Sequence, residues 1–241
     1  MYEEDSNSQR PIQSSSQPVP ITSTTLLSSA NHQPQLRYGL PTSRIDPFQH
    51  DDLRSPAVER IIRDEMLKVL GSLDRIPEIA EAYFRTVHHR LTIISNKRFM
   101  DKLPTISSGG NATYLALCLC MFLLQQQPDD NIESMRLSLY VTAKSILNIL
   151  TAAGFYSLDV VQSLVMISFY EIGHGIYPAA SMSVVACAKL ARGLGLQKNL
   201  HFQAQSAADR IEHEEKKRVW WVILNFDRSV LLLYQWSLSQ V

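Results

Sequence analysis

Glycine is scarce in this sequence, with nine in 241 residues. An all-β chain of this length needs more turn punctuation, so the shortage points to helices. Cysteine is scarcer still: there are three, an odd number that does not suit a secreted disulfide scaffold. Neither sign of charge is in excess, since Lys+Arg and Asp+Glu both number 23. A domain that holds DNA by itself usually shows a basic surplus. Long apolar runs are also missing. Residues 114–124 are too few to span a bilayer, and 219–234 carry Asn225, Asp227 and Arg228, which are costly at membrane depth. Residues 1–30 start acidic and continue rich in Ser, Gln and Pro, unlike a secretory signal. No Gly-x-Ser-x-Gly, phosphate-binding glycine loop or His-Glu-x-x-His occurs, so no enzyme is expected. The expectation is a soluble intracellular protein with no membrane partner.

Apolar residues make up 45% of the chain, enough for a sizeable core. They are unevenly spread. Residues 1–50 hold six of the 11 prolines, nine serines, six glutamines and four threonines. Such a segment buries too little apolar surface to offset its ordering entropy, which predicts disorder. Within it Leu26-Leu27 and the run from Ile45 to Phe48 are candidate docked patches. A helical domain is expected over 55–236.

Ser55-Pro56 reads as an N-cap followed by proline at the first helical position, and Gly71 stops that helix. A second helix starts near Pro77-Glu78. Leu91, Ile93 and Ile94 lead into a loop before Phe99, punctuated by Pro104 and Gly109-Gly110. Residues 112–126 are apolar nearly all round and predict a buried central helix. Residues 128–131 predict a turn. Residues 132–153 form a striped helix capped at Gly154, and Ser157 caps the next, running to about Tyr170. Pro178 opens a helix rich in small residues that ends at Gly193/Gly195, and a last helix covers about 209–233. No fixed repeat supports a solenoid. The fold class is therefore all-α: a multi-helix globular domain of antiparallel helices behind a disordered N-terminal segment.

The segment from Glu212 to Arg228 is the most informative. Seven ionisable residues, 212–218, give way to an apolar run opened by Trp220 and Trp221. Glu212 with Lys216 and Glu214 with Arg218 are pairs four apart in the favourable order. The charge run reads first as a solvated helix start and second as a docking surface. The two tryptophans sit about 100° apart on a helix. One is expected in the core and the other at a helix seam. Asp227 and Arg228 either bond a neighbouring helix and fix register, or both reach water.

Other features are weaker. Cys118 and Cys120 diverge on a helix and read, with Cys187, as buried thiols. His88-His89 fits a surface or capping role better than a metal site. Arg85, Arg90, Lys97, Arg98 and Lys102 stand against Asp101 alone, a basic stretch that reads as solvated surface. The Gly173-His174-Gly175 turn precedes a helix with few base-reading side chains, which argues against helix-turn-helix. Ala179, Ala180, Ser181, Ser183, Ala186 and Ala188 predict close helix packing, with a ligand channel as the alternative.

Three stretches in order resemble one family. They are Tyr83-Phe84 with His88, Ile93-Ile94 and Phe99; Ile176-Tyr177-Pro178-Ala179-Ala180-Ser181 with Cys187 through Ala191-Arg192-Gly193-Leu194-Gly195-Leu196; and Glu215-Lys216-Lys217-Arg218-Val219-Trp220-Trp221 followed by Asp227-Arg228. Over roughly 80–235 the chain is similar to the middle regulatory region of fungal zinc-cluster transcription factors. The resemblance implies a transcription regulator located in the nucleus. It marks Lys216, Lys217, Arg218, Trp220, Trp221, Asp227, Arg228, Pro178, Arg192 and Gly195 as signature positions without catalytic, cofactor or metal roles. Zinc belongs to full-length members, whose six-cysteine cluster binds DNA; this sequence holds no such run, so no cofactor and no direct DNA binding are expected. The implied partner is a full-length zinc-cluster relative or a transcriptional co-regulator. The family region continues past the Trp-Trp helix, so truncation at the C-terminus is expected. A helical small-molecule-binding protein and an incomplete gene product remain as alternatives.

Overall fold

The helix from Ala112 to Leu124 has no polar face to give to water, and four of the other described helices pack on it. In the computed structural model, which describes residues 56–107, 111–127, 135–201 and 206–238, the described residues form eight α-helices, two 3-10 segments and no strand. The segment 1–50 and the turn expected at 128–131 lie outside the described residues.

Helix α1 (Pro56–Leu70) opens on its proline and buries Ile62, Met66 and Leu70 at four-residue spacing. Gly71 ends it with a φ of 76°, a left-handed conformation that glycine adopts without a Cβ penalty. A 3-10 segment (Leu73–Arg75) leads to α2 (Ile76–Thr86), where Pro77 lies in the first turn and costs no hydrogen bond. Helix α4 (Ala112–Leu124) is capped by Asn111, whose Oδ1 accepts the Thr113 N–H at 3.0 Å. Helix α5 (Ser138–Ala152) starts later than the stripe from 132 suggests, because 135–137 are not helical.

Helix α6 (Leu158–Gly173) is the second largely enclosed element, capped by Ser157 Oγ on the Val160 N–H at 3.3 Å. It touches α4, α5 and the two helices that follow it in the chain. A three-residue link, 174–176, returns the chain into α7 (Tyr177–Gly193), which lies along α6. The second 3-10 segment (Leu196–His201) precedes α8 (Ala207–Leu238). Ser206 and Asp209 cap α8 reciprocally, with Oγ on the Asp209 N–H at 3.1 Å and Oδ2 on the Ser206 N–H at 3.0 Å.

One expected loop is a helix. Residues 96–107 form α3 (Asn96–Ser107), with Pro104 inside it. Proline there removes one backbone bond, and local signals read it as a breaker. Tertiary packing outweighs that cost. Phe99 is buried and lies 4.8 Å from the Tyr114 ring and 5.6 Å from Phe84. The Tyr114 hydroxyl donates to the Phe99 carbonyl at 2.6 Å. The Ser95 carbonyl accepts the Phe99 N–H at 2.9 Å and closes the first turn.

Candidate functional site

Helix α8 carries the signature residues, and its orientation follows from its buried positions. Glu215, Val219, Ile223 and Val230 are enclosed, with Phe226 partly buried between the last two. Steps of three and four keep these positions on one side of a helix that turns about 100° per residue. Trp220 lies about 100° from Val219 and packs half-buried against the core. Trp221 lies about 200° away and is 59% exposed. The expectation of one indole in the core and the other at a seam is therefore corrected: Trp220 sits at the margin of the core and Trp221 faces solvent.

Asp227 and Arg228 are both exposed. Of the two readings open for them, the structure supports the one in which both reach water. The drift of the 3.6-residue period explains it: the buried stripe passes from Ile223 to Phe226 and leaves 227 and 228 outside.

A different charge ties α8 to the body. Glu215 is 4% exposed. Its Oε1 accepts the Ser95 N–H at 2.5 Å, and its Oε2 accepts from the Arg98 guanidinium. Arg98 also reaches Glu212 at 3.5 Å. The clasp therefore joins α8 to the N-terminal end of α3. Lys216 pairs with Glu212 at 2.7 Å, as the four-residue spacing predicts. Glu214 takes Lys217 at 3.1 Å in place of Arg218. Burial alone would raise the Glu212 carboxyl, but the Lys216 bond and the Lys216, Arg98 and Lys102 charges outweigh it and hold the group below its ordinary value.

Two further charges are sunk between helices. Glu171 on α6 is 0% exposed; its Oε1 accepts from the Tyr140 hydroxyl at 2.7 Å and from Lys144, both on α5. Lys144 also donates to Ser183 of α7 at 3.2 Å, so one network crosses three helices. Asp159 on α6 accepts from Lys102 of α3 at 3.3 Å, and Lys102 lies 5.6 Å from the centre of the Tyr114 ring.

The other signature residues mark the two ends of α7. Pro178 is exposed in its first turn, and Arg192 is exposed in its last. Gly195 follows with a φ of 71°, and its N–H donates to the Arg192 carbonyl at 3.0 Å, which turns the chain toward α8. Of the small residues on α7, Ala180 and Ser183 are buried and Ala188 partly so, whereas Ser181 and Ala186 face out. Close packing is thus confined to one stripe.

The thiols are enclosed and separate. Burial pushes Cys120 and Cys187 up to about 12 and Cys118 higher. A thiolate metal ligand needs the opposite environment. Among the described residues no cluster of His, Cys, Asp and Glu is placed to hold a metal. These cysteines do not fit a zinc cluster. His88 packs edge-on to Phe84 at 5.1 Å, and burial followed by the Arg218 charge lowers its pKa.

This arrangement is a helical body held by buried charge clasps, with a basic and aromatic face on α8 turned outward. Residues 80–235 match the family described as fungal specific transcription factor domain. The chain belongs to that family. It is 32% identical over 155 residues to transcription factor BOA15 of Botryotinia fuckeliana (strain B05.10), a match covering 63% of this chain and 84% of that protein. No solved structure matches. The chain is accordingly a transcription-regulatory domain, and no described helix is long and apolar enough to cross a membrane.

In this fungal regulatory domain Glu215, quoted within the signature stretch, has no role of its own in the sequence reading, and Glu171 does not figure there at all. A signal for Glu215 was present: the apolar stripe that begins at Val219, continued back by one four-residue step, lands on it rather than on Glu212 or Glu214. Its partner Arg98 sits in the basic stretch read as solvated surface, and nothing local distinguishes it from Lys97.

Proposed function

We propose that this regulatory domain acts in the nucleus through protein contacts, with a full-length zinc-cluster relative or a transcriptional co-regulator as partner, and does not grip DNA itself. The observation that carries this reading is the outward face of α8. Arg218, Trp221 and Arg228 are exposed there, with Leu231 and Leu232 beyond them. A large exposed aromatic beside guanidinium groups is the composition of an interface centre, and packing within the domain does not account for it. The balanced charge of the chain and its three buried thiols support the second half of the proposal. No catalytic step and no zinc enter this function.

The test is a fluorescently tagged chain expressed in a filamentous fungus, together with a reporter whose promoter recruits the same chain through a heterologous DNA-binding domain. Nuclear signal and a change in reporter output that Trp221→Ala with Arg228→Ala removes are expected. Uniform cytoplasmic signal with an unchanged reporter sinks the proposal.

A further inference from the structure

Between the link joining α2 to α3 and the first turns of α8 lies a groove of about 470 Å³. That is within the ordinary range for a small-molecule site, roughly 300–1,000 Å³. Residues of 88–97 form one wall and residues of 210–218 the other.

The charges on these walls do not cancel. Two acids are present, and both are engaged: Glu215 by the Ser95 N–H and Arg98, and Glu214 by Lys217 at 3.1 Å. Three cations line the same groove, Lys97 from one wall and Arg210 and Arg218 from the other. None of the three forms an ion pair with a described residue. Asn96 and Lys97 also begin α3, a 12-residue helix whose N-terminal end adds partial positive charge. His88 lines the groove as well, and its Nδ1 is buried without a hydrogen-bond partner.

We propose that this groove binds a small polyanion, a metabolite-sized molecule bearing two or more carboxylate or phosphate groups. Arg210 and Arg218 offer guanidinium forks that suit either oxygen set, and Lys97 supplies a point charge opposite them. A small ligand fits better than a nucleic-acid backbone, because the chain has no overall basic excess and the cations converge on one groove. The site does not depend on the partner-mediated reading above and is tested by direct binding.

The full chain is titrated with citrate and, separately, with pyrophosphate at fixed ionic strength, with acetate as the monovalent control and a DNA duplex as the competing class. Binding is followed by calorimetry and by the His88 ring resonances. Saturable one-site binding of citrate or pyrophosphate is expected, with the His88 resonances moving in step; which probe binds tells carboxylate from phosphate. Arg210→Gln with Arg218→Gln weakens that binding at least about tenfold, since charge-assisted bonds are the strong ones. Lys97→Gln weakens it less, and Arg228→Gln, on the same helix outside the groove, leaves it within about twofold. Arg210 and Arg218 are exposed, so the double variant keeps its helical circular dichroism. Failure of both probes to bind better than acetate overturns the proposal, as does an equal loss in Arg228→Gln. Tighter binding of the duplex than of either probe, with a steep salt dependence, overturns it too and assigns the cations to nucleic acid instead.

Discussion

Replacing Glu215 with alanine tests whether a single buried carboxylate holds α8 in place. The change removes the acceptor of the Ser95 N–H and the counter-charge of Arg98. Breaking a buried ion pair from one side costs about 3–5 kcal/mol, because the remaining charge is stranded. Arg98 is not fully stranded here. Its side chain keeps 22% of its surface and Glu212 remains at 3.5 Å, so its share falls to about 2 kcal/mol. The orphaned Ser95 N–H adds about 1 kcal/mol. A total near 3 kcal/mol lowers the melting temperature of a domain this size by about 6–12 °C. Glu215→Gln keeps an acceptor for Ser95 and loses about half as much. Thermal and urea unfolding followed by helical circular dichroism measure these losses, and a double-mutant cycle with Arg98→Met gives the coupling. Asp227→Ala is the control and stays within about 0.5 kcal/mol, as exposed substitutions do. A neutral Glu215→Ala, or a larger loss in Asp227→Ala, means that α8 is anchored by Asp227 or by its apolar stripe alone, and refutes the clasp.

The two tryptophans separate in the same way. Trp220→Ala costs about 2 kcal/mol, below the 3–5 of a fully buried indole, whereas Trp221→Ala stays within about 0.5 kcal/mol and lowers acrylamide quenching of the native fluorescence; equal destabilisation by both speaks against their opposite exposure. Glu171→Ala leaves the Tyr140 hydroxyl and Lys144 without their carboxylate and costs about 2–4 kcal/mol by urea unfolding, against about 1 or less for Ser183→Ala; a neutral Glu171→Ala contradicts a structural role for the network. His88 and His174 both have pKa values lowered from 6.5, burial being the first cause in each. The unfolded chain therefore takes up protons on them before the folded chain does, and stability is lost as pH falls below about 6.5 through the folded values. Melting temperature between pH 7 and 5 falls less steeply in His88→Gln than in the parent chain, and identical slopes refute the claim for His88.

The helices that the sequence announces are those with a strong local signal. Ser157 caps where capping chemistry is written, Gly71 and Gly154 end helices with positive φ, and the all-apolar run of α4 is buried along almost its whole length. Helix α3 is not announced, because its support comes from the Phe84, Phe99 and Tyr114 rings, which meet only after folding. The charged residues show the same division. Glu212 and Lys216 pair within one helix and are legible from spacing. Glu215 with Arg98 and Glu171 with Lys144 pair across 117 and 27 residues, and composition gives no means of choosing those partners from the other ions of each stretch.

Seven of the ten signature positions then fall into two sets with different physical duties. Trp220 and Gly195 are accounted for by the fold: an indole packed against the core and a left-handed turn that sends the chain toward α8. Arg218, Trp221, Arg228, Pro178 and Arg192 stand on the surface, and the described packing gives them little to hold. Substitution in the first set acts on function through stability. Substitution in the second leaves the body intact, so a change in regulation there reports on contacts made outside the domain. The buried clasps of Glu215 and Glu171 make that separation possible, because they hold the helices in register without help from the outward residues.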